Sequence, residues 1–280
     1  MRYPKASWLL SILAMGVLTS VSAWHRAPTE VDLALVLAVD VSTSMDQDEQ
    51  GLQRQGYVEA FRSPMVHRAI HDGMVGRIAV TYVEWAGAHP RFQNVVVPWT
   101  VLENPKDSLA FAARLARAPM YRMAGTSISE AIEFSMSLFS LGHFLAARRV
   151  IDISGDGSNN QGALVTEARD TAIAQGVTIN GLPITLRNPD RRENATLDAY
   201  YRDCVIGGPN AFMVPVQARG QFLTETRTKI VREIADTPEP ARPTQPVRTV
   251  TQTDCDTSES LWDDPGPDPH APMHDSRQSL

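Results

Sequence analysis

The feature that most constrains the fold is an apolar run that ends on an acid. Residues 32–39 read DLALVLAV, and Asp40-Val41-Ser42-Thr43-Ser44 follows directly. Apolar residues in unbroken succession leave no face for water. Such a run suits a strand covered on both faces, as in a parallel sheet between layers of helices.

The rest of the chain supplies partners for that strand. Further strands are expected over 77–85, 93–98, 149–153, 177–184 and 211–216. The third is placed at an edge, because Pro98 has no N–H to donate. Helices are expected from Asp48 to Arg62 and from Pro64 to about Asp72. The next follows Asn104, a natural cap with proline at the first helical position. Others are read over 127–141, 163–175, 196–204 and 218–236. Strands alternating with helices of this length imply an α/β fold. The expected architecture has three layers, a doubly wound and mainly parallel sheet flanked by helices. At 280 residues and 43% hydrophobic content, the chain can bury one sizeable core.

Both ends read differently from the middle. Arg2 and Lys5 precede an apolar run from Trp8 to about Val21, and Val21-Ser22-Ala23 offers small residues for cleavage. Residues 1–23 are therefore read as a secretory signal peptide, too short to span a bilayer. The expected location is periplasmic or secreted, with no stable membrane span after cleavage. Residues 24–236 form the working domain. Residues 237–280 hold eight acids against three arginines, with eight of the 19 prolines, and no periodicity. That tail is expected to be disordered. The net charge of −6 gives no electrostatic case for nucleic acid as a partner. Cys204 and Cys255 could pair in an oxidising compartment and tie the tail to the domain. Against that stands the position of Cys255 in the tail, so the pairing stays open.

Ligands of open α/β sheets bind at the carboxyl ends of the strands. Three loops there carry oxygen ligands: Asp40-Val41-Ser42-Thr43-Ser44, Gly125-Thr126-Ser127 and Gly155-Asp156-Gly157. In an extended turn Asp40, Ser42 and Ser44 fall on one side. Carboxylates and hydroxyls without histidine or thiolate suit a hard cation, Mg²⁺ first, with Mn²⁺ or Ca²⁺ as alternatives. The neutral hydroxyls leave such an ion under-compensated, so a partner's carboxylate could complete its shell.

The order hydrophobic strand, DVSTS, helix, GTS, strand, SGDG resembles a von Willebrand factor A domain with its metal-ion-dependent adhesion site, over about residues 31–236. By that resemblance Asp40, Ser42 and Ser44 contact the ion or its waters, Thr126 is a direct or near ligand, and Asp156 holds a water on it. Two departures stand out. Gly155 sits where the family commonly has a hydroxyl residue, and the second loop has one glycine where two are frequent. A narrower resemblance, in DVSTSM, SGDGSNNQG and YYRDCVIGGPNAF, is to bacterial secreted von Willebrand-A-like proteins without assigned function.

Other polar residues have plainer readings. Asp152, inside an expected buried strand, reads as an aspartate satisfied by backbone or an arginine; the sharper alternative is a carboxylate that orients ligand groups. Asp46, Asp48 and Glu49 read as first-turn acids favoured by the helix dipole. Glu84 and Trp85 end the second strand and read as rim of the site, with core the favoured reading for Trp85. SGDGSNN lacks the pattern of a phosphate loop, and His67/His71 reads as a solvated helix face. The expected function is an exported, non-enzymatic module that binds a protein partner through Mg²⁺, the partner giving an Asp or Glu carboxylate. The alternative is a metal-dependent hydrolase of phosphate or other esters, for which no base or nucleophile stands out.

Overall fold

The computed structural model describes residues 27–186, 197–235 and Cys255. The expected signal peptide and nearly all of the tail lie outside these residues. The run that opened the sequence argument is the middle strand of a five-stranded sheet. In sequence numbering the strands are β1 (Thr29–Asp40), β2 (Ile78–Trp85), β3 (Gln93–Leu102), β4 (Phe144–Gly155) and β5 (Thr178–Pro183). Their spatial order is β3-β2-β1-β4-β5. All pairings are parallel except β2 with β3, which is antiparallel, so the proline-bearing strand is at an edge as expected.

Alternate residues of β1 feed two cores, as the two-residue strand period requires. Leu33, Leu35 and Leu37 pack on one face with Tyr57, Phe61 and Phe222. Val36 and Ala38 pack on the other with Ile128, Val165 and Tyr201. The first face is covered by α1 (Gln47–Arg62), α2 (Pro64–His71), α3 (Pro105–Arg117) and α6 (Phe222–Ala235); the second by α4 (Ile128–Phe139) and α5 (Val165–Ala174). The three-layer α/β expectation is met. No helix among the described residues is long and apolar enough to cross a membrane.

Helix starts follow local chemistry. Asp46 caps α1 in a reciprocal box with Glu49, so those acids serve the helix terminus. Asn104 caps α3, with Pro105 at its first position. His67 bonds the Phe61 carbonyl and His71 reaches Asp72, so the two rings have separate partners.

Three elements differ from the sequence reading. The strand expected over 211–216 makes only isolated bridges, Gly181 to Met213 and Ile184 to Val216. Asn210 has a left-handed φ of 57°, and Pro215 has no N–H, so a continuous ladder does not form. β4 begins at Phe144, five residues before the expected start; its first half pairs with β1 but is only partly buried, and Arg148 separates its apolar start, Phe144–Ala147, from the buried half. Over 196–204, residues 197–200 are α-helical and Tyr201–Val205 form a π-turn.

Asp152 is fully buried, and its partner is neither backbone nor arginine but Lys229 on α6. Lys229 Nζ lies 2.6 Å from Asp152 Oδ1 and 2.5 Å from Glu233 Oε1. Asn180 donates to the other Glu233 oxygen at 2.8 Å. Glu84, also buried, pairs with Arg54, and Trp85 is core. Cys204 and Cys255, left open above, form a disulfide with Cα atoms 5.8 Å apart.

Candidate functional site

The sheet delivers three loops to one end. β1 ends on Asp40 and β4 on Gly155, and the two strands are direct neighbours. The second loop, between α3 and α4, is stitched to the first. Met123 N–H donates to the Val41 carbonyl at 3.1 Å, and Thr43 N–H donates to the Met123 carbonyl at 2.9 Å. Arg122 clamps the same turn by donating to the Thr43 and Met45 carbonyls.

Four of the five expected residues are joined in one cluster. Asp40 Oδ1 accepts from the Ser42 N–H at 2.7 Å. The Ser42 and Ser44 hydroxyl oxygens are 2.6 Å apart, and the Ser44 hydroxyl donates to Asp156 Oδ1 at 2.6 Å. The fifth, Thr126, is buried on the neighbouring loop, its Oγ1 3.7 Å from where a Cβ on Gly157 would stand.

The electrostatics of the cluster are unbalanced. Asp40 is fully buried, and its Oδ2 has no hydrogen-bond partner. The Asp156 amide and the Ser42 hydroxyl favour the ionised form, but neither reaches Oδ2 in hydrogen-bond geometry. Burial, with the Asp156 charge adding to it, pushes the Asp40 carboxyl up to about 8. Two acids and two or three hydroxyls converge with no basic side chain bonded to Asp40. No group of three or more His, Cys, Asp or Glu among the described residues is placed to hold a metal. The donor set here is hydroxyl-rich instead, and oxygen donors around an orphaned carboxylate fit a hard cation.

The sequence reading missed the residues that hold the loops together. Thr126 N–H donates to Asn160 Oδ1 at 2.9 Å, and Asn160 N–H returns to the Thr126 carbonyl at 2.8 Å. Asn159 accepts from Ser129, while its own N–H donates to the Tyr200 hydroxyl. Gln161 packs on Gly125, whose φ of 84° favours glycine at that position. The run SGDGSNNQG carried these side chains in plain view, but their roles depend on a loop more than thirty residues away.

Similar solved structures point the same way on fold. The pilus adhesin SpaC from Lactobacillus rhamnosus GG overlays with a TM-score of 0.56 at 12% identity, over 75% of this chain and 31% of that one. Proximal thread matrix protein 1 from the mussel byssus gives 0.52 at 12% identity, over 74% and 48%. A structure described as von Willebrand factor type A from Catenulispora acidiphila gives 0.49 at 16% identity, over 74% and 43%. The first two show the fold alone, and the chain spans about half or less of either protein's length. No curated protein matches the sequence. The fold is shared with the pilus adhesin and the byssus matrix protein, and the family described as "Protein of unknown function (DUF1194)" matches residues 30–238, so the chain belongs to that family.

Proposed function

We propose that this domain is an exported, non-enzymatic binding module that captures a protein partner through a divalent cation, Mg²⁺ in the first instance. Asp40, Ser42, Ser44, Thr126 and Asp156 would hold the ion, and the partner would add an Asp or Glu carboxylate. The observation that carries the reading is Asp40 Oδ2, a carboxylate oxygen fully buried beside a second acid with no donor to satisfy it. A buried charge without a partner is strongly unfavourable unless something cationic meets it. The hydroxyls of Ser42 and Ser44 add donor atoms but no compensating charge. The cation would supply positive charge to which an incoming carboxylate binds. The likeness to a pilus adhesin and a byssus matrix protein supports an adhesion-type role.

Thermal unfolding in Mg²⁺ and in chelator tests the reading. A ligand of the folded state at a hundred times its Kd adds about 2.7 kcal/mol to stability. Wild type should melt higher in millimolar Mg²⁺ than in chelator, and Asp40→Ala should not respond. Identical responses of the two proteins would overturn the cation site.

A further inference from the structure

The segment IGGPNAF, residues 206–212, takes no part in the cation site, yet it builds one wall of a cavity. β4 begins at Phe144, but β5 pairs with it only from Thr178 opposite Val150. Beside the unmatched first half of β4 lies a cavity of about 250 Å³. Arg149 in its lining is roughly 20 Å along the strand from Gly155, at about 3.3 Å per residue. The cavity and the cation site are therefore at opposite ends of β4. Ligand pockets usually measure about 300–1,000 Å³, so this one suits a small molecule.

Three guanidinium groups line it, Arg148 and Arg149 from β4 and Arg232 from α6. Glu233 is the one carboxylate in the lining among the described residues, and its two oxygens face Lys229 and Asn180. Arg148 donates to the Glu233 and Ile234 carbonyls at 3.1 and 2.9 Å, and Arg149 donates to the Gln175 carbonyl. Attraction of cations to helix C-termini accounts for those bonds. It does not account for Arg232, which lies over the Phe212 ring, 3.8 Å from its centroid. Phe212 is fixed in turn, its N–H donating to Asn180 Oδ1 at 2.8 Å. The wall is equally firm. Ile179 and Gly207 exchange backbone hydrogen bonds of 2.8 and 3.1 Å, and the Thr178 hydroxyl donates to the Pro209 carbonyl at 3.1 Å. A ligand would meet a pre-formed cavity and would not have to order it.

We propose that this cavity binds the phosphate group of a small phosphomonoester. A carboxylate would bring one charge and two oxygens to three guanidinium groups. A phosphate brings three terminal oxygens and a charge of about −1.5 to −2 at neutral pH, and guanidinium forks match its geometry. Val150, Pro209 and Phe212 give the organic substituent an apolar surface.

Calorimetry on the full chain with phenyl phosphate tests the inference, run in chelator so that it is independent of the cation reading. Wild type should bind at millimolar concentration or below, and more weakly at about pH 5 than at about pH 7.5, because the second phosphate proton has a pKa near 6. Arg232→Gln and Arg149→Gln should each weaken binding about tenfold or more, the effect of losing a hydrogen bond between charged groups. Phenyl sulfate, with the same ring and a single charge, should bind more weakly than phenyl phosphate at the higher pH. No binding of phenyl phosphate by wild type overturns the inference. So does binding within about twofold of wild type by both variants, or equal affinity for the sulfate. None of these outcomes touches the cation site.

Discussion

Among single residues, Asp40 sets the behaviour of the site. Its carboxyl is held up to about 8 in the cation-free fold, against an ordinary 3.8. Between those values the folded protein keeps a proton that the unfolded chain releases. Stability in chelator should therefore fall as pH rises from about 4 to about 8. Asp152, pushed up to about 6 by burial against the opposing pull of Lys229, adds a decline of the same sign over a lower window. Asp40→Asn removes the first contribution and leaves the second. Urea unfolding in chelator at pH 5 and pH 8 should show the variant gaining on wild type as pH rises; a difference that does not change with pH would contradict the burial argument. Asp40, Ser42, Ser44 and Asp156 were legible in the sequence because alternation and strand-end position follow from local geometry. The close approach of the Tyr201 hydroxyl and Asp40 to Gly155 was not, because it exists only after residues 40, 155 and 201 have been brought together.

At the scale of elements, the buried ion cluster between β4 and α6 is the joint most exposed to damage. Lys229 pairs with both Asp152 and Glu233 where none of the three meets solvent. Lys229→Met preserves length and apolar stem but strands two carboxylates. It should cost about 3–5 kcal/mol by denaturant unfolding, the range for a broken buried pair. A variant within 1 kcal/mol of wild type would show that the cluster is not the fastening it resembles. The odd aspartate was visible in the sequence, but a partner on the last helix was not, since nothing local links positions 152 and 229. The strand expected over 211–216 failed for a readable reason. Pro215 has no N–H to donate, and Asn210 turns the chain with a left-handed φ. The boundaries of β4 failed for another: the paired arginines Arg148 and Arg149 break the apolar sequence and part Phe144–Ala147 from the buried half of the strand.

For the whole molecule, one run of apolar residues was enough to give the layering, because a strand without a wet face demands cover on both sides. What it could not give was the closure of the chain on itself. Cys204 and Cys255 are 51 positions apart, and nothing local in the sequence links them. The bond has a consequence for how the molecule can be divided. Residues 236–254 connect two points already joined through sulfur, so the peptide chain there is a second tie. A specific cut introduced after Arg248 should leave a single species on a non-reducing gel and two species once a reductant is added. Two species without reductant would mean that the bridge had not formed. With the bridge in place, residues beyond Cys255 travel as a covalent passenger of the domain, even when the backbone between them has been severed.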